Sequence, residues 1–456
     1  MNAQRLSRAR LLTVTLAVAA LGLTAGCAPG AGTKPAATGA TSGAVKTDAA
    51  TLGNVTLSVW DQEVRGGQKA EIEALNAAFH AKYPNITIKR NAQSFDDLAK
   101  TLRLALSGPD APDVVESNNS RSQMGAFVGA RQIISLEPYA KAYGWHSRFP
   151  ASVTRLASYS ADAKTFGSGD LYGVPQMGEI VGVYYNKKKL AALGLPVPKT
   201  WAEFTRALAT IKAAGEAPLV LGDLEKWPAI HVLGPIQGAH TPATEVQSLA
   251  MGNAGATWTD ATNTAAATEL STWVKAGYFN KDVNGSKYND MVAKFGAGTG
   301  VFLIAGSWNT ADLDPVMKGN LGFFAPPPVA AGDPASTTGG TSLPFTVTSA
   351  SKHPDAAAAY INFITSDEAM KVIAKAGNLP VLHSAELAPP TGGGKDVYAA
   401  YEAVTSKGNL LPYLDYATPT FSDTLGAALQ DLIAGKQTPQ QFTTTLQADY
   451  GKFVSK

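Results

Sequence analysis

The sequence predicts an α/β protein with room for two domains. Strand and helix patterns alternate along the first part of the fold, and a second stretch of the same kind begins near Gly178. The chain has 456 residues, of which 45% are hydrophobic. A chain of this length can bury two cores more easily than one, because single cores stop growing at about 250–300 residues.

The first stretch reads strand, helix, strand, helix, strand, which predicts a parallel sheet. Residues 55–59 alternate apolar and polar side chains, as a half-buried strand does. A helical pattern follows and ends at Pro84, which cannot continue a helix. Residues 86–88 and 113–115 are the next two strands, and leucines spaced over 98–106 mark the helix between them.

The second stretch opens with residues 180–185, a strand rich in β-branched and aromatic residues. Thr200 to Glu203 has the form of a helix capping box, and a helix is expected to follow it. Residues 260–276 form a further helical pattern that stops at Gly277. A strand is predicted at 300–304. Later helices are predicted from Pro354, around 425–432 and around 442–446.

The N-terminus has the pattern of a secretory signal. A basic segment precedes an apolar run that is too short to span a membrane, and the segment ends in Leu23-Thr24-Ala25-Gly26-Cys27, which looks like a bacterial lipobox. Cys27 is the only cysteine, so it cannot form an intramolecular disulfide. We expect a signal peptide at 1–26, a lipid on Cys27, and a flexible tether over 27–52, where Ala, Gly, Thr and Pro predominate.

Composition argues against several classes of function. The formal charge is +2, so nucleic acid is not an expected partner, and no second long apolar segment predicts a membrane span in the mature chain. The 6 histidines are scattered without metal-ligand spacing, and the chain has no HExxH motif and no nucleophile elbow. The sequence therefore predicts no metal, no cofactor and no enzymatic activity.

Several motifs, in order along the chain, resemble those of the family-1 extracellular solute-binding proteins, a group that includes maltodextrin and oligosaccharide receptors. They are LSVWD at 57–61, FHAKYP at 79–84, PDVVE at 112–116, YGVP at 172–175, YYNK at 184–187, LGL at 193–195, PKTWAEF at 198–204, GSWN at 306–309, APPP at 325–328 and the glycine pair at 339–340. The resemblance covers nearly the whole mature chain.

This resemblance implies a periplasmic-binding-protein fold of two α/β lobes, joined by crossing hinge segments of the type II kind, with a ligand cleft between the lobes. Lobe one would comprise residues 53–176 plus 336–384, and lobe two residues 177–335 plus 385–456. The protein would be the substrate-binding component of an ABC importer, anchored at the extracellular face of the cell membrane. It would close on a carbohydrate, expected to be a short oligosaccharide, and deliver this ligand to the permease. We expect it to act as a monomer.

A sugar offers apolar ring faces and a rim of hydroxyls, so its site needs aromatic surfaces and fixed polar groups. Trp60 follows the first strand, where parallel sheets present ligand sites, and Asp61 beside it could accept hydroxyl protons. Asn118 and Asn119 follow the third strand in the same way. In the resembled family, a tryptophan at the position of Trp308 and a glutamate at that of Glu179 contact sugar. The further candidates are Asp223, Trp227, Gly339, Gly340, Tyr416 and Phe421.

Each candidate also has a purely structural interpretation, since tryptophans pack cores and paired glycines form turns. Three other functions stay open. The first is a secreted lipoprotein glycoside hydrolase, with Asp61 and Glu179 as its pair of carboxylates. The second is a surface receptor or adhesin that serves no importer. The third is a receptor for a monosaccharide, a polyol or a sugar phosphate. A phosphate would favour a basic cleft, and these candidate positions are mostly neutral or acidic.

Overall fold

Two large β-sheets and one small two-stranded sheet, with flanking helices, organise the protein in the computed structural model, which describes residues 44–455. The predicted signal peptide and Cys27 lie outside these residues. The strands are β1 (Val55–Asp61), β2 (Ile86–Ala92), β3 (Val114–Glu116), β4 (Ser158–Tyr159), β5 (Asp170–Leu171), β6 (Gly178–Asn186), β7 (Phe302–Gly306), β8 (Leu321–Phe324), β9 (Ser336–Thr341), β10 (Phe345–Val347) and β11 (Asn409–Leu411).

Helices cover both sheets and account for most of the chain between the strands. They are α1 (Gly66–Lys82), α2 (Phe95–Ser107), α3 (Ala126–Gly129), α4 (Glu137–Tyr143), α5 (Trp145–Arg148), α6 (Ala151–Thr154), α7 (Lys187–Ala192), α8 (Trp201–Ala213), α9 (Pro228–His240), α10 (Ala243–Met251), α11 (Ala261–Lys275), α12 (Tyr288–Gly296), α13 (Thr310–Met317), α14 (Pro354–Ile364), α15 (Asp367–Lys375), α16 (Gly392–Lys407), α17 (Phe421–Ile433) and α18 (Pro439–Val454).

The first sheet forms the core of lobe one and has the order β10-β3-β1-β2. Strand β1 runs parallel to β2 and β3, which confirms the predicted parallel arrangement, while β10 returns late in the chain and pairs antiparallel with β3. Alternate residues of β1 are buried, as its sequence pattern requires. Helix α1 buries Ile72, Leu75 and Phe79 and ends at Lys82, just before Pro84.

The second sheet forms the core of lobe two and is mostly antiparallel. Strand β6 lies at its centre and pairs antiparallel with β7, β8 and β9, and β11 pairs parallel with β9. The predicted strand at 300–304 begins and ends two residues later, at Phe302–Gly306. Because β6 is buried along most of its length, its sequence is a nearly continuous apolar run rather than an alternating one.

Three segments of the chain run side by side between the lobes. Val174 bridges to Phe345, Met177 bridges to Pro380, and the backbone N–H of Ser342 donates to the carbonyl of Met177 at 2.9 Å. These three crossings correspond to the hinge segments that the family resemblance implies. The mixed α/β, two-lobed architecture is therefore confirmed.

One predicted lobe boundary lies a single strand away from the crossing in the structure. The prediction places residues 336–341 in lobe one, whereas these residues form β9, which pairs with β6 and β11 in the second sheet. The crossing into lobe one comes directly after this strand, at Ser342. A run of small and β-branched residues carries no signal of which sheet it joins, because that depends on pairing partners far away in the sequence.

The last residues of the predicted tether pack on the fold. The carboxylate of Asp48 accepts a hydrogen bond from the N–H of Ala50, and Ala49 is buried. The Asn85 side chain donates to the backbone carbonyl of Ala49 at 3.0 Å. The Tyr143 hydroxyl donates to the backbone carbonyl of Thr47 at 3.4 Å. Part of the segment that the sequence predicts as a tether therefore contacts the fold before residue 53.

The predicted cap at Thr200 is present, with a different partner for its acidic residue. The Thr200 hydroxyl accepts from the N–H of Glu203, while the Glu203 carboxylate accepts from the N–H of Lys199 instead of closing the box. A complete capping box lies at Thr438 and Gln441, where α18 begins. Within residues 44–455, none of the helices combines the length and the apolar character needed to cross a bilayer.

Candidate functional site

A cavity of about 990 Å³, part of it open to solvent, lies between the two lobes. Its walls come from loops that follow β1 and β3, from the start of α2, and from lobe-two segments around β6, α9, α12, β7 and β11. A space in this place, between two domains, is typical of small-molecule sites. Five of the predicted residues line it: Asn118, Glu179, Trp227, Trp308 and Tyr416.

An arc of aromatic rings forms the lobe-two wall of the cavity. Trp227 packs on Tyr288 with ring centroids 4.6 Å apart, and on His231 at 5.5 Å. His231 in turn contacts Trp308 at 5.2 Å and Tyr413 at 5.3 Å. Trp227 and His231 lie four residues apart at the start of α9, so they share a helix face. The arc supplies the flat apolar surfaces on which a sugar ring can stack.

Trp308 lies in the turn after β7, where the sequence placed it. Its Nε1 donates to the hydroxyl of Tyr288 at 3.0 Å, and the Asn309 side chain donates to the same hydroxyl at 2.6 Å. A Cβ atom on Gly306 would lie 2.0 Å from the Trp308 ring. Gly306 is therefore required for the tryptophan to fold back over the end of the strand.

Glu179 is the second residue of β6 and presents its carboxyl group to the cavity. The hydroxyl of Tyr413 donates to its Oε2 at 3.0 Å. Burial raises the pKa of Glu179 to about 8, and the nearby Glu63 carboxyl adds to this, while the Tyr413 hydrogen bond and Arg65 act in the opposite direction. At neutral pH Glu179 is therefore mostly uncharged and can donate as well as accept a hydrogen bond.

The two asparagines after β3 have different positions. Asn118 lines the cavity, and its Oδ1 accepts from the N–H of Ser120 at 2.9 Å. Asn119 is buried behind the wall, where its Nδ2 donates to the carbonyl of Leu156 at 2.7 Å. Its Oδ1 accepts a 3.4 Å hydrogen bond from the hydroxyl of the cavity residue Tyr416. Asn119 therefore supports the wall and does not line it.

Trp60 and Asp61 do not line the cavity, contrary to prediction. Asp61 is fully buried and accepts two hydrogen bonds from the Arg90 guanidinium, at 2.6 and 2.5 Å. Trp60 is half-buried and packs against the core. The strand end is the correct place, but the chain reaches the cavity one residue later, at Gln62, and again at Arg65.

Four other predicted residues have structural roles. A Cβ on Gly339 would lie 2.4 Å from the carbonyl oxygen of Glu179, and Gly340 has φ +147°, so this pair allows β9 to approach its neighbours closely. Asp223 is buried and accepts from the N–H of Ala229 at 2.8 Å, at the start of α9. Phe421 is buried and stacks on Trp258 at 5.3 Å.

A buried cluster of carboxyl groups lies beneath the loop that carries Gln62 and Arg65. The N–H of Gln62 donates to Glu116 Oε2 at 2.7 Å. Glu63 and Glu116 are fully buried, and the charge of Glu63 adds to burial in raising the pKa of Glu116. Burial raises the pKa of Glu63 to about 7 and that of Glu116 well above its ordinary value. Glu71, also buried, accepts from Asn378 at 2.7 Å.

Several cavity residues have no signal in the sequence. Arg65 crosses between the lobes and donates to Asn289 and Asn309, both at 3.3 Å. The Trp227 Nε1 donates to Asp96 of lobe one at 3.2 Å, which is a second contact between the lobes. Burial and the neighbouring Glu225 raise the pKa of Asp96. One weak signal was available: residues 62–65 follow β1 directly, and ligand sites commonly lie at the carboxyl ends of parallel strands.

The charged groups of the cavity do not form a metal site. Among residues 44–455, no group of three or more His, Cys, Asp or Glu side chains is arranged to hold a metal ion. The carboxylate pair proposed for a hydrolase, Asp61 and Glu179, is not shared by one cavity, because Asp61 is buried against Arg90. Burial lowers the pKa of His231 to about 3, so its ring is neutral at physiological pH.

Comparison with known proteins agrees with this architecture. The chain is 26% identical over 325 residues to the multiple sugar-binding protein of Streptococcus mutans, covering 70% of this chain and 72% of that protein. The structure of a chitin oligosaccharide binding protein matches with a TM-score of 0.75 at 24% identity, over 88% of this chain and all of that one.

A solute-binding protein in complex with raffinose matches with a TM-score of 0.69 at 20% identity, over 88% of this chain and 99% of that one. Both structures share the two-lobed fold. The family model for bacterial extracellular solute-binding proteins matches residues 65–371, which is more than half of the chain. The chain therefore belongs to the bacterial extracellular solute-binding protein family.

Proposed function

We propose that this protein is the substrate-binding component of an ABC importer and that the carbohydrate it captures is a short oligosaccharide. The observation that carries the proposal is the arc of aromatic rings from Trp227 to Tyr413, which faces polar groups from lobe one across a single cavity. Stacking surface together with fixed donors and acceptors is what a sugar ring requires. The relatives named for binding sugars support the same ligand class.

The ligand is held between lobes that the hinge brings together. Residues of both lobes line the cavity, and three crossings join the lobes, so a ligand that contacts both walls favours the closed form. The closed complex then delivers the sugar to the permease. Lipid attachment at Cys27 would keep the protein at the extracellular face of the membrane.

A screen of the purified domain against sugars tests the proposal. The melting temperature is measured with mono-, di- and trisaccharides, with polyols and with sugar phosphates, because a ligand that binds only the folded state must raise it. We expect a trisaccharide or disaccharide to give the largest rise. A rise with sugar phosphates alone would contradict the oligosaccharide proposal.

The same samples decide between binding and hydrolysis. Chromatography of the sugar after long incubation with pure protein should recover it unchanged. Cleavage would instead support the glycoside hydrolase, which two cavity carboxyl groups would have to perform.

A further inference from the structure

The first turn of α1 in lobe one lies directly against the first turn of α13 in lobe two. Gly66 and Gly67 begin α1. They face Ala311 and Asp312, the second and third residues of α13. A Cβ atom on Gly67 would lie 2.6 Å from the Cβ of Ala311. A Cβ atom on Gly66 would lie 2.0 Å from the Asp312 Oδ1. Because non-bonded carbon atoms pack best at about 3.5–4.0 Å, the lobes approach here more closely than side chains on these glycines would allow.

Helix formation does not explain the two glycines. Glycine loses more backbone freedom on folding than any other residue, so it weakens a helix. Gly66 has φ +26°, which residues with a side chain rarely adopt, so its backbone conformation favours glycine. Gly67 has no positive φ, so the space around it is what requires glycine. Its Cβ would meet Ala311 of lobe two and, at 2.3 Å, the carbonyl oxygen of Ala376 in lobe one.

A third glycine of lobe one faces the same methyl group. Gly377 follows α15 with φ +88°, and a Cβ atom on it would lie 3.3 Å from the Cβ of Ala311. Ala311 therefore packs against two glycines that come from separate segments of lobe one. We refer to Gly66, Gly67 and Gly377 together with Ala311 as the glycine contact.

The same turn of α1 carries two residues of the cavity wall. Arg65 and Gln68 line the cavity, and the Gln68 Oε1 accepts a 3.4 Å hydrogen bond from the Arg65 guanidinium. The residues between them, Gly66 and Gly67, do not line it. The distance at which α13 packs on these glycines therefore also fixes how far Arg65 and Gln68 lie from the lobe-two wall.

We propose that the residues of the glycine contact are positioning residues for ligand binding. Their small size lets the lobes come close enough for one ligand to contact both walls of the cavity, and a larger side chain there would hold the walls apart. Close-packed contacts do not absorb added carbon atoms without movement. The inference rests on the proposed function, because it requires a ligand that contacts both lobes. The residues themselves do not line the cavity, so they act only through the separation of the lobes.

Ala311→Leu tests the inference from the lobe-two side. It adds three carbon atoms to the contact, and leucine favours helices, so α13 should persist. The probes are raffinose, maltotriose and chitotriose, and titration calorimetry gives each affinity. For the probe that binds the wild type best, we expect a loss of about fivefold to a hundredfold in affinity. The melting temperature of the ligand-free variant should be unchanged. Small-angle scattering should show that this probe lowers the radius of gyration less than in the wild type.

Two variants serve as controls. Ala209→Leu makes the same change at an exposed position of α8 in lobe two and should leave the affinity unchanged. Ala311→Gly only removes a methyl group from the contact and should bind the probe within about twofold of the wild type. Gly67→Ala would be ambiguous, because its Cβ also meets the carbonyl of Ala376 within lobe one.

The outcomes separate this inference from the proposed function. If no probe raises the melting temperature of the wild-type protein, the proposed function fails and the inference fails with it. If a probe binds the wild type and Ala311→Leu binds it equally well, only the inference is wrong. A loss of affinity in Ala311→Gly as large as that in Ala311→Leu would also overturn it, because side-chain size would then not be the cause.

Discussion

Single residues make the cavity less charged than its composition suggests. Burial keeps Glu179 mostly protonated at neutral pH and His231 neutral, and the hydroxyl of Tyr413 holds the Glu179 carboxyl group in place. Carboxyl groups and an imidazole therefore act here as uncharged donors and acceptors. Such groups suit hydroxyl ligands, which carry no charge to balance.

Trp308 is expected to supply most of the stacking surface, so Trp308→Ala should weaken sugar binding by about 2–4 kcal/mol. Its side chain is half-buried at the cavity wall, and the fold should tolerate its removal. Titration calorimetry and a melting curve of the variant check both statements. Trp308→Phe, which retains a ring, should lose less. An unchanged affinity in Trp308→Ala would place the sugar elsewhere.

The buried carboxyl cluster predicts a dependence of stability on pH. Burial raises the pKa of Glu63 to about 7 and that of Glu179 to about 8, both above the ordinary value of 4.5. Between the ordinary value and these raised values, the folded protein therefore binds more protons than the unfolded chain does. The free energy of unfolding should therefore fall as the pH rises from about 5 to 8. Glu116→Gln removes a buried carboxyl group whose own pKa is raised well above its ordinary value, so it should flatten this fall.

Denaturant unfolding at several pH values between 5 and 8 measures that slope for the wild type and Glu116→Gln. Glu368→Gln is the control, because Glu368 is an exposed residue that pairs with Lys371. It should leave the slope as it is. Equal slopes in the wild type and Glu116→Gln would show that the cluster does not carry the effect.

At the scale of elements, the sequence predicts what depends on local patterns. The alternation in β1 and the apolar face of α1 are encoded in neighbouring residues, and both are confirmed. The partner of β9 and the sheet order depend on distant pairing, so they cannot be read locally. The site shows the same division. The sequence predicts which strand ends carry site residues, but it does not predict that Arg65 and His231 line the cavity, because tertiary packing brings them there.

The turn after β7 predicts a second effect on binding. In Gly306→Ala the added Cβ would overlap the Trp308 ring, so the ring must leave its position over the strand end. We expect a loss of sugar affinity close to that of Trp308→Ala, measured by calorimetry and by tryptophan fluorescence. Gly129→Ala is the control, since its Cβ would make an ordinary 3.5 Å contact with Ala163, away from the cavity. Unchanged affinity in Gly306→Ala would contradict this account of the turn.

At the scale of the whole molecule, side chains of the two lobes contact each other across the cavity. Arg65 of lobe one donates to Asn289 and Asn309 of lobe two and lies 4.0 Å from Asp312. Trp227 and Asp96 make the second contact across the cavity. Such contacts favour arrangements in which the lobes lie close together, so we expect their loss to favour wider separation of the lobes.

Arg65→Ala should shift the ligand-free protein toward the open form by about 1–2 kcal/mol, since hydrogen bonds from a charged donor are lost. Small-angle scattering should then show a larger radius of gyration than for the wild type. Lys69→Ala is the control, because Lys69 pairs with Glu73 within lobe one. An equal radius for the wild type and Arg65→Ala would show that Arg65 does not hold the lobes together.

The late strand of lobe one has a consequence for folding. Strand β10, at Phe345–Val347, completes a sheet whose other strands lie before residue 117, and α14 then packs on α1, where the Tyr360 hydroxyl donates to Asn76 at 2.7 Å. During synthesis, therefore, lobe one cannot complete its folding until more than three quarters of the chain has left the ribosome. Such long-range pairing folds slowly, and we expect nascent chains that end before residue 345 to be sensitive to proteases and prone to aggregate.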